Sequence, residues 1–361
     1  MRIKFGVWLG VISLSTAIAL DPITAQTPST APTSLTLPVN SQVIYVAPGS
    51  NGNGTQVAPY GSITAALNSN PQPGTIIQLA PGSYTPETGE VFPLKLAPGL
   101  TLRGNDSNKG KDVIIQGGGV FISPTFARQN IALLAGDETV IAGITLTNAN
   151  PRGYALWLES SEDVILRNNS FVGTTHDGVF LTGRTVALIS SNIFSKNRAN
   201  GISAVGSSKG EISDNLFENT GFGLAIGQQS QVAVVNNRIL NNRSGVVISN
   251  LAKPVLRGNL IKGSQEDGVV VIKDRKGQPA PDLGTIADAG RNVFTDNKGK
   301  DINNASGVTL VAVGNQLSRQ KIAGEVDLNL PPEPPAPPQV KPMPKPATKP
   351  ANKLAPKPKV K

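Results

Sequence analysis

Cysteine is absent from the 361-residue chain, which excludes disulfides, thiolate metal sites and cysteine nucleophiles. Aromatic residues make up only 4% and charged residues only 16% of the sequence, whereas there are 38 glycines and 29 prolines. Few large side chains and many glycines are typical of short strands joined by tight turns rather than of packed helices. The composition therefore favours an all-β fold.

Acidic residues are outnumbered by basic ones, but the excess is local. The chain has a net charge of +9, and residues 331–361 alone hold seven lysines and one glutamate. The body is therefore close to neutral, which argues against a basic groove for nucleic acid. We expect no nucleic-acid partner.

The first 26 residues are typical of a signal peptide. Arg2 and Lys4 give a positive start, residues 5–20 are apolar, and small residues follow before position 26. The alternative is an uncleaved anchor, although the apolar run is slightly short for a membrane span. We expect export to the periplasm, the cell surface or the medium, with no membrane span after cleavage.

The body is expected between two segments of biased composition. A Thr/Pro/Ser linker occupies residues 27–40, the body spans 41–320, and a tail rich in proline and lysine covers 321–361. The tail cannot bury a core and is expected to be disordered or to form polyproline II. It is either a solubilising spacer or a cationic tether to an anionic cell-wall or capsule polymer.

An Asn-x-large apolar motif recurs seven times between residues 164 and 317. The gaps between successive asparagines are 23, 23, 22, 22, 33 and 23 residues, and a charged, turn-prone insertion at residues 273–283 explains the long gap. A fixed period in this range predicts a solenoid, and the regular leucines of a leucine-rich repeat are missing. Stacked amides can satisfy one another and the turn backbone. The predicted ladder consists of Asn169, Asn192, Asn215, Asn237, Asn259, Asn292 and Asn315.

A glycine begins an apolar strand eight or nine residues after five of these asparagines. The glycines are expected to permit backbone angles that a side chain would oppose. They stand at Gly178, Gly201, Gly223, Gly245 and Gly268, with Gly153 extending the series backward. The two motifs together predict a parallel β-helix of about 22–23 residues per coil, in which equivalent residues stack directly above one another. A short helix capped by Ser62 is expected to cover the first coil and its open strand edges.

The stretches YVAPGSNGNGT, SITAAL, GTIIQLAPGSY and FPLKLAPGLTLRGN resemble the pectin-lyase-like superfamily of right-handed parallel β-helices, in particular its uncharacterised bacterial branch. The resemblance covers about residues 43–320. It implies a right-handed helix and a function connected with polysaccharide. Because the superfamily includes pectate lyases, polygalacturonases, alginate epimerases, tailspike glycosidases and noncatalytic surface proteins, the fold alone does not select a reaction.

Aligning the coils on their glycines reveals no cluster of carboxylates. The positions before and two after each glycine are mostly apolar or uncharged, so neither the paired acids of a hydrolase nor the converging ligands of a calcium site are found. No phosphate loop, zinc pattern or Ser-His-Asp order is present either. We expect no metal and no cofactor.

The one candidate catalytic spot surrounds His176, the only histidine, in the sequence TTHDG. The alignment makes Arg152 and Asp177 stacked neighbours. The motif faintly resembles the Asp-Pro-His-Asp signature of alginate epimerases, but its first acid and its proline are missing here. In a lyase or epimerase, the arginine would neutralise a uronate and the histidine would abstract its proton. The structural alternative makes Asp177 a turn residue, like Asp267, with Arg152 simply paired to it.

Four further residues are candidates for carbohydrate binding. Trp157 and Phe180 are predicted to project outward from neighbouring coils, and Lys196 and Arg198 lie in the next turn. Exposed aromatic rings stack on sugars, although cover by the tail or by a long loop is the alternative. The leading expectation is an exported, monomeric envelope protein that binds or scaffolds acidic polysaccharide or cell-wall polymer without catalysis. The alternatives are a uronic-acid lyase or epimerase, and a structural spacer or adhesin.

Overall fold

The computed structural model describes residues 41–329, which form three long parallel sheets. The predicted signal peptide, the linker and residues 330–361 of the predicted tail lie outside the described residues. Within residues 41–329 the regular helices are α1 (Ile63–Asn68) and three short 3-10 turns, Pro86–Thr88, Asp106–Asn108 and Arg319–Lys321. The described chain is therefore almost entirely β.

The three sheets, A, B and C, are each built from short strands of successive coils. Sheet A contains Val43–Val46, Ile76–Leu79, Thr101–Arg103, Val140–Ala142, Val164–Arg167, Val186–Ser190, Lys209–Ser213, Gln231–Val235 and Val255–Arg257. Sheet B contains Gly82–Tyr84, Val113–Gln116, Thr145–Thr147, Ser170–Val172, Ile193–Ser195, Leu216–Glu218, Arg238–Leu240, Leu260–Lys262 and Val293–Thr295. Sheet C contains Leu94–Leu96, Ala127–Ala135, Gly153–Glu159, Val179–Thr182, Asn200–Ala204, Phe222–Ile226, Ser244–Ser249, Val269–Ile272, Ile302–Ala305 and Ile322–Ala323. Gly119–Ser123 pairs with sheet C in an antiparallel hairpin, and Leu310–Val311 pairs with Val326–Asp327.

The chain visits the three sheets in turn, so each full coil adds one strand to each of them. Parallel strands joined by such crossovers wind right-handedly. The predicted right-handed parallel β-helix is confirmed. Alternate side chains point inward and stack on their equivalents in the next coil. The rings of Phe171, Phe194 and Phe217, for example, lie nearly parallel in sheet B, with centroids 5.0 and 4.7 Å apart.

Six of the seven asparagines of the motif lie in a single buried file in the turn from sheet A to sheet B, and the seventh, Asn315, ends the file half-buried. The side-chain oxygen of Asn215 accepts from the backbone N–H of Asn192 at 2.8 Å and from its side-chain nitrogen at 3.0 Å. The side-chain nitrogen of Asn215 donates in turn to the carbonyl of Ile189 at 2.8 Å and to Asn237 at 3.1 Å. The same pattern joins Asn169 to Asn192 and runs on to Asn315. The ladder thus satisfies polar groups that no solvent reaches.

A second buried file occupies the turn from sheet B to sheet C, five residues after the first. The oxygen of Asn197 accepts from the hydroxyl of Thr174 at 2.8 Å, and Asn242 accepts from Thr220 at 2.9 Å. Ser264 and Asn297 continue the file through a backbone N–H at 3.0 Å. Because asparagine alternates with threonine or serine, the sequence period of this file is less visible than that of the first.

The recurring glycines are required by close packing rather than by unusual backbone angles. Gly178, Gly201, Gly223, Gly245 and Gly268 are not among the residues with positive φ. A Cβ on Gly223 would instead lie 2.7 Å from the carbonyl oxygen of Gly245 and 2.7 Å from a methyl of Ile239. The expectation of a conformational role was therefore wrong. Without a side chain, the chain can turn tightly into sheet C beneath the next coil.

The N-terminal end of the solenoid is closed by α1, as predicted. The Ser62 hydroxyl accepts from the N–H of Ala65 at 3.1 Å, and Ile63 and Ala66 are buried. A second cap was not predicted: the Glu90 carboxylate accepts from the N–H of Ile63 at 2.7 Å and from that of Thr64 at 2.8 Å. Burial raises the pKa of Glu90, and these bonds oppose that shift.

Two sequence boundaries need correction. Residues 321–329, which were assigned to the tail, still belong to the β-helix. Their strands Ile322–Ala323 and Val326–Asp327 pair with Ile302–Ala305 and Leu310–Val311. The insertion in the long repeat is split in two, because Asp282 bridges to Val255 in sheet A and Leu283 is buried. One loop therefore precedes Asp282 and the other, residues 284–289, follows Leu283. The spacing of the asparagines shows that this repeat contains extra residues, but it does not show at which residue each loop begins.

The ladder predicts a large effect of removing one amide. Asn215→Ala strands the backbone and side-chain donors of Asn192 and the carbonyl of Ile189, and each buried unsatisfied group costs roughly 1–3 kcal/mol. The free energy of unfolding in urea should fall by at least about 2 kcal/mol, whereas the exposed Asn51→Ala should leave it nearly unchanged. Equal stability of the two variants would contradict the structural role of the ladder.

The glycine file makes a separate prediction, which compares Gly223 with Gly227, the residue directly after the same strand. Gly223→Ala forces a Cβ against the backbone of the next coil, and such overpacking costs roughly 1–3 kcal/mol. Gly227→Ala is the matched control, since its nearest neighbours are side-chain atoms at 3.3 Å. Thermal unfolding should show a clearly larger loss for Gly223→Ala. Indistinguishable melting temperatures would show that the file tolerates a methyl group.

Candidate functional site

The outer face of sheet C is covered at its N-terminal end by the antiparallel hairpin of Gly119–Ser123 and Ala127–Ala135. Phe121 and Phe126 of this hairpin pack edge-on against Trp157 at centroid distances of 6.1 Å. Trp157 stacks on Phe180 at 4.2 Å, and the two side chains are 0% and 6% exposed. The rings do project outward from neighbouring coils. The expectation that they offer an open sugar-stacking surface is nevertheless wrong, because the hairpin buries them.

A single carboxylate holds the hairpin tip in place. Glu159 accepts from the indole N–H of Trp157 at 2.9 Å, from the hydroxyl of Ser123 at 2.5 Å and from that of Thr125 at 2.8 Å. Thr125 also lies 3.1 Å from the hydroxyl of Thr182 in the next coil. All of these partners belong to the protein, so Glu159 acts as the anchor of the hairpin.

His176 lies at the edge of this covered region and is engaged on both ring nitrogens. Its Nδ1 lies 3.0 Å from Oδ1 of Asp177, and its Nε2 lies 3.4 Å from the hydroxyl of Tyr154. The imidazole also stacks on the Tyr154 ring at 4.4 Å. About 31% of the His176 side chain is exposed, whereas the Asp177 side chain is fully buried. The three residues form a short polar chain that ends at the surface.

Tyr154 is poorly suited to act as a base at neutral pH. Its pKa is raised to about 12, first by burial and then by the negative charge of Asp177, while Arg152 lowers it by a smaller amount. The phenol therefore stays protonated and can serve His176 as a hydrogen-bond donor. The sequence reasoning missed Tyr154, although the motif GYAL contains it.

Asp177 is fully occupied by the next coil. Its Oδ1 accepts from the backbone N–H of Asn200 at 3.1 Å and from the side chain of the same residue at 3.0 Å, and its Oδ2 accepts from Ser203 at 2.7 Å. Asp267 repeats the arrangement, with Lys300 N–H at 2.6 Å and Asn303 at 2.8 Å. This repetition favours the structural interpretation of Asp177.

Arg152 does not stack on Asp177. The alignment on Gly153 was out of register, because Trp157 rather than Ala155 pairs with Phe180 and the N–H of His176 donates to the carbonyl of Gly153. Arg152 instead adopts a left-handed backbone conformation on an extended turn, with its side chain exposed. In the described part of the chain no ion pair joins Arg152 to Asp177. Of the predicted catalytic triplet, His176 and Asp177 lie together, Tyr154 joins them, and Arg152 adjoins the cluster through its charge and its side-chain hydrogen bond to Tyr154.

Lys196 and Arg198 are exposed, as a binding role requires, and Arg198 belongs to a regular row of cations. Cross-coil backbone bonds give Arg198, Arg243 and Lys298 the same position in the turn from sheet B to sheet C, in alternate coils. The two intervening coils carry Gly221 and Gln265 there, and the coil before Arg198 carries Thr175; none of these residues is acidic. We call Arg198, Arg243 and Lys298 the cationic row.

The cationic row is only weakly neutralised by the protein. Arg243 lies 4.3 Å above the Phe222 ring and 3.8 Å from Glu266, and both partners of that ion pair are more than half exposed. Such a pair holds its charges loosely. Lys298 hydrogen-bonds the neutral Gln265. No ion pair of Arg198 is found within residues 41–329. The positive charge of the row is therefore largely uncompensated within residues 41–329.

Nothing in the described range suggests a metal centre, since no group of three or more His, Asp or Glu side chains within residues 41–329 could hold an ion. The helices of the same residues are also too short or too polar to cross a membrane.

A family model described as "Protein of unknown function (DUF1565)" matches residues 47–321. The chain belongs to the DUF1565 family. No curated protein matches the sequence. The function of this DUF1565 protein must therefore be argued from its surface.

Solved structures similar to this DUF1565 protein share its fold at low identity. Pectate lyase Pel9A is 14% identical with a TM-score of 0.51, over 80% of this chain and 78% of that one. An alginate lyase from Paenibacillus sp. str. FPU-7 is 16% identical with a TM-score of 0.52, over 73% and 96%. The GH136 lacto-N-biosidase from Eubacterium ramulus is 14% identical with a TM-score of 0.52, over 80% and 67%. At these identities the likeness shows the fold alone.

The anchoring role of Glu159 in this DUF1565 protein can be tested by freeing the hairpin. Glu159→Ala removes the acceptor shared by Trp157, Ser123 and Thr125, so chymotrypsin should cut the hairpin near Phe126 several-fold faster. Glu162→Ala, which removes an exposed carboxylate from the following turn, is the control. If both variants resist cleavage equally, Glu159 does not hold the hairpin.

Proposed function

We propose that this protein binds acidic polysaccharide along the cationic row without turning it over. The observation that carries the proposal is the alignment of Arg198, Arg243 and Lys298 on one edge of the solenoid, exposed and in alternate coils. Arg152 and Lys196, also exposed, extend the positive surface towards the hairpin. The partner class is a linear polyanion.

The spacing of the row suits a regular polymer. Adjacent coils are separated by about 4.8 Å, so the three cations recur at roughly 10 Å along the helix axis. In an extended β-1,4-linked uronan each sugar is turned over relative to its neighbour, so carboxylates on one side recur at every second sugar. A chain lying parallel to the solenoid axis can therefore meet successive cations with successive carboxylates. Phe222, beneath Arg243, holds the guanidinium on this edge through a cation–π contact.

The surroundings of His176 support binding rather than turnover. A lyase or epimerase needs a base with a free lone pair near the sugar's acidic carbon. Here Nδ1 of His176 bonds Asp177 and Nε2 faces the Tyr154 hydroxyl. Asp177 and Glu159 are both saturated by protein donors, so neither carboxylate is free to act as a second acid or base.

Two further lines support the choice of partner. The pectate lyase and the alginate lyase that share the fold are named for acidic polysaccharides. The signal-peptide pattern and the lysine-rich segment 331–361 suit an exported protein held among anionic envelope polymers. In this proposal the protein belongs to the cell envelope, and the tail adds a second, unspecific attraction to the same polymers.

The proposal predicts salt-sensitive retention on alginate rich in β-1,4-linked mannuronate but not on neutral glucan. Arg198→Ala/Arg243→Ala should weaken retention about ten-fold at low salt and much less at high salt, where exposed charges are screened. Arg184→Ala/Lys209→Ala removes the same charge from exposed sites elsewhere and is the control. Equal losses in both double variants would mean that net charge, and not the row, drives binding. A folded protein that no acidic glycan retains would indicate a spacer or an adhesin.

The lyase or epimerase alternative rests on the chain of Tyr154, His176 and Asp177 and makes a different prediction. Unsaturated uronate products, or proton exchange at the sugar, would appear with the wild type and vanish in His176→Ala. We expect neither product from either protein, and unchanged glycan retention by His176→Ala. Turnover that depends on His176 would contradict binding without catalysis.

A further inference from the structure

A cavity of about 350 Å³ lies on the turn from sheet C to sheet A, at the opposite edge of sheet C from the cationic row. It is lined by Gly206, Ser207, Gln228, Gln229, Leu251 and Lys276, together with Asn250 beneath. Its volume lies at the lower end of the range of small-ligand pockets, and its mouth is wide open to solvent. No part of the proposed binding along the cationic row uses it.

The first loop of the long repeat forms one wall of this cavity. Asn250 donates a hydrogen bond to Asp274, and Gly277 packs directly against Leu251 and the backbone of Asn250. A side chain on Gly277 would collide with Leu251 at 2.4 Å. The loop is therefore fitted to the preceding turns and brings Lys276 to the mouth of the cavity.

The amide oxygens around the cavity accept hydrogen bonds from the protein itself. Gln228 Oε1 accepts from the N–H of Gly206 at 2.8 Å, and Asn250 Oδ1 accepts from the N–H of Gln228 at 2.9 Å. Gln229 Oε1 accepts from the Ser207 hydroxyl at 3.3 Å. Because a backbone N–H can face only an oxygen, the first two amides have fixed orientations.

The Gln228 side-chain nitrogen and the Lys276 ammonium are therefore donors, and Gln229 adds a third while its oxygen accepts from Ser207. No partner is found in the described structure for the side-chain nitrogens of Gln228 and Gln229 or for the Lys276 ammonium. Leu251, 42% exposed, supplies an apolar wall beside them. A ligand that fits must bring acceptors, one negative charge and an apolar face.

We propose that this cavity binds a single carboxylated sugar, a uronic acid at a chain end or on a branch. Its carboxylate pairs with Lys276, its ring and hydroxyl oxygens accept from Gln228 and Gln229, and its C–H face rests on Leu251. The inference deepens the proposed function, since it supplies a second site for the same substrate class. The cationic row binds several sugars of a polymer, whereas this cavity binds a single sugar of it.

The test is a ligand-observed NMR titration of the full chain with D-galacturonate and D-glucuronate, with D-galactose and D-glucose as neutral counterparts. At least one acidic sugar should bind about ten-fold more tightly than its neutral counterpart, a difference of about 1.4 kcal/mol. Gln229→Glu, which replaces an unused donor with a charged acceptor at constant shape, should abolish binding. Lys276→Ala should weaken it about ten-fold, because a charged hydrogen bond is lost.

Arg275→Ala is the matched control, since it removes the same charge from the neighbouring exposed residue outside the cavity lining. It should leave the affinity unchanged. Equal losses in Arg275→Ala and Lys276→Ala, equal binding of neutral and acidic sugars, or no binding of either uronate would overturn the assignment. Arg198→Ala/Arg243→Ala should keep full affinity for the monosaccharide while losing the polymer, so failure of the row and failure of the cavity give different results.

Discussion

The structure depends on the stacking of one coil on the next in strict register. At a separation of about 4.8 Å, every turn brings backbone polar groups and side chains directly above their equivalents. Most buried polar groups at the turns are then satisfied by the coil above or below them. The two files in the turns on either side of sheet B satisfy these groups with amides and hydroxyls. The glycine file answers a different consequence of the same stacking, because a side chain there would collide with the next coil.

The same requirement for register between coils decides which parts of the fold could be predicted from the sequence. The first ladder was visible because each of its positions must satisfy the same donors and acceptors, and asparagine does so every time. The glycine file was visible too, but its reason was not, because a sequence does not reveal that Gly223 faces the carbonyl of Gly245. The second file was missed because two different side chains occupy its equivalent positions, with Thr174 donating and Asn197 accepting.

The candidate site was predicted less well, because it lies where the repeat is interrupted. The turn before Gly153 contains extra residues, so aligning glycines displaced Arg152 from its true neighbours. The hairpin over Trp157 has no counterpart in other coils, and its anchor Glu159 is distant in sequence from Ser123. Tyr154 stacks on His176 across two coils, a contact that no local pattern encodes. Interrupted coils are also where a solenoid acquires features that its repeat does not provide.

The same stacking that builds the core also organises the surface, since exposed residues at one repeat position become a row. The central claim is therefore the register itself, and the absence of cysteine allows it to be measured directly. Nitroxide labels at Gln116→Cys and Lys262→Cys occupy one outward column of sheet B, six coils apart in the strand register. Pulsed EPR should give a narrow distribution near roughly 29 Å, six times the interstrand spacing. A broad distribution, or one displaced by more than about 10 Å, the span of two coils, would contradict the account.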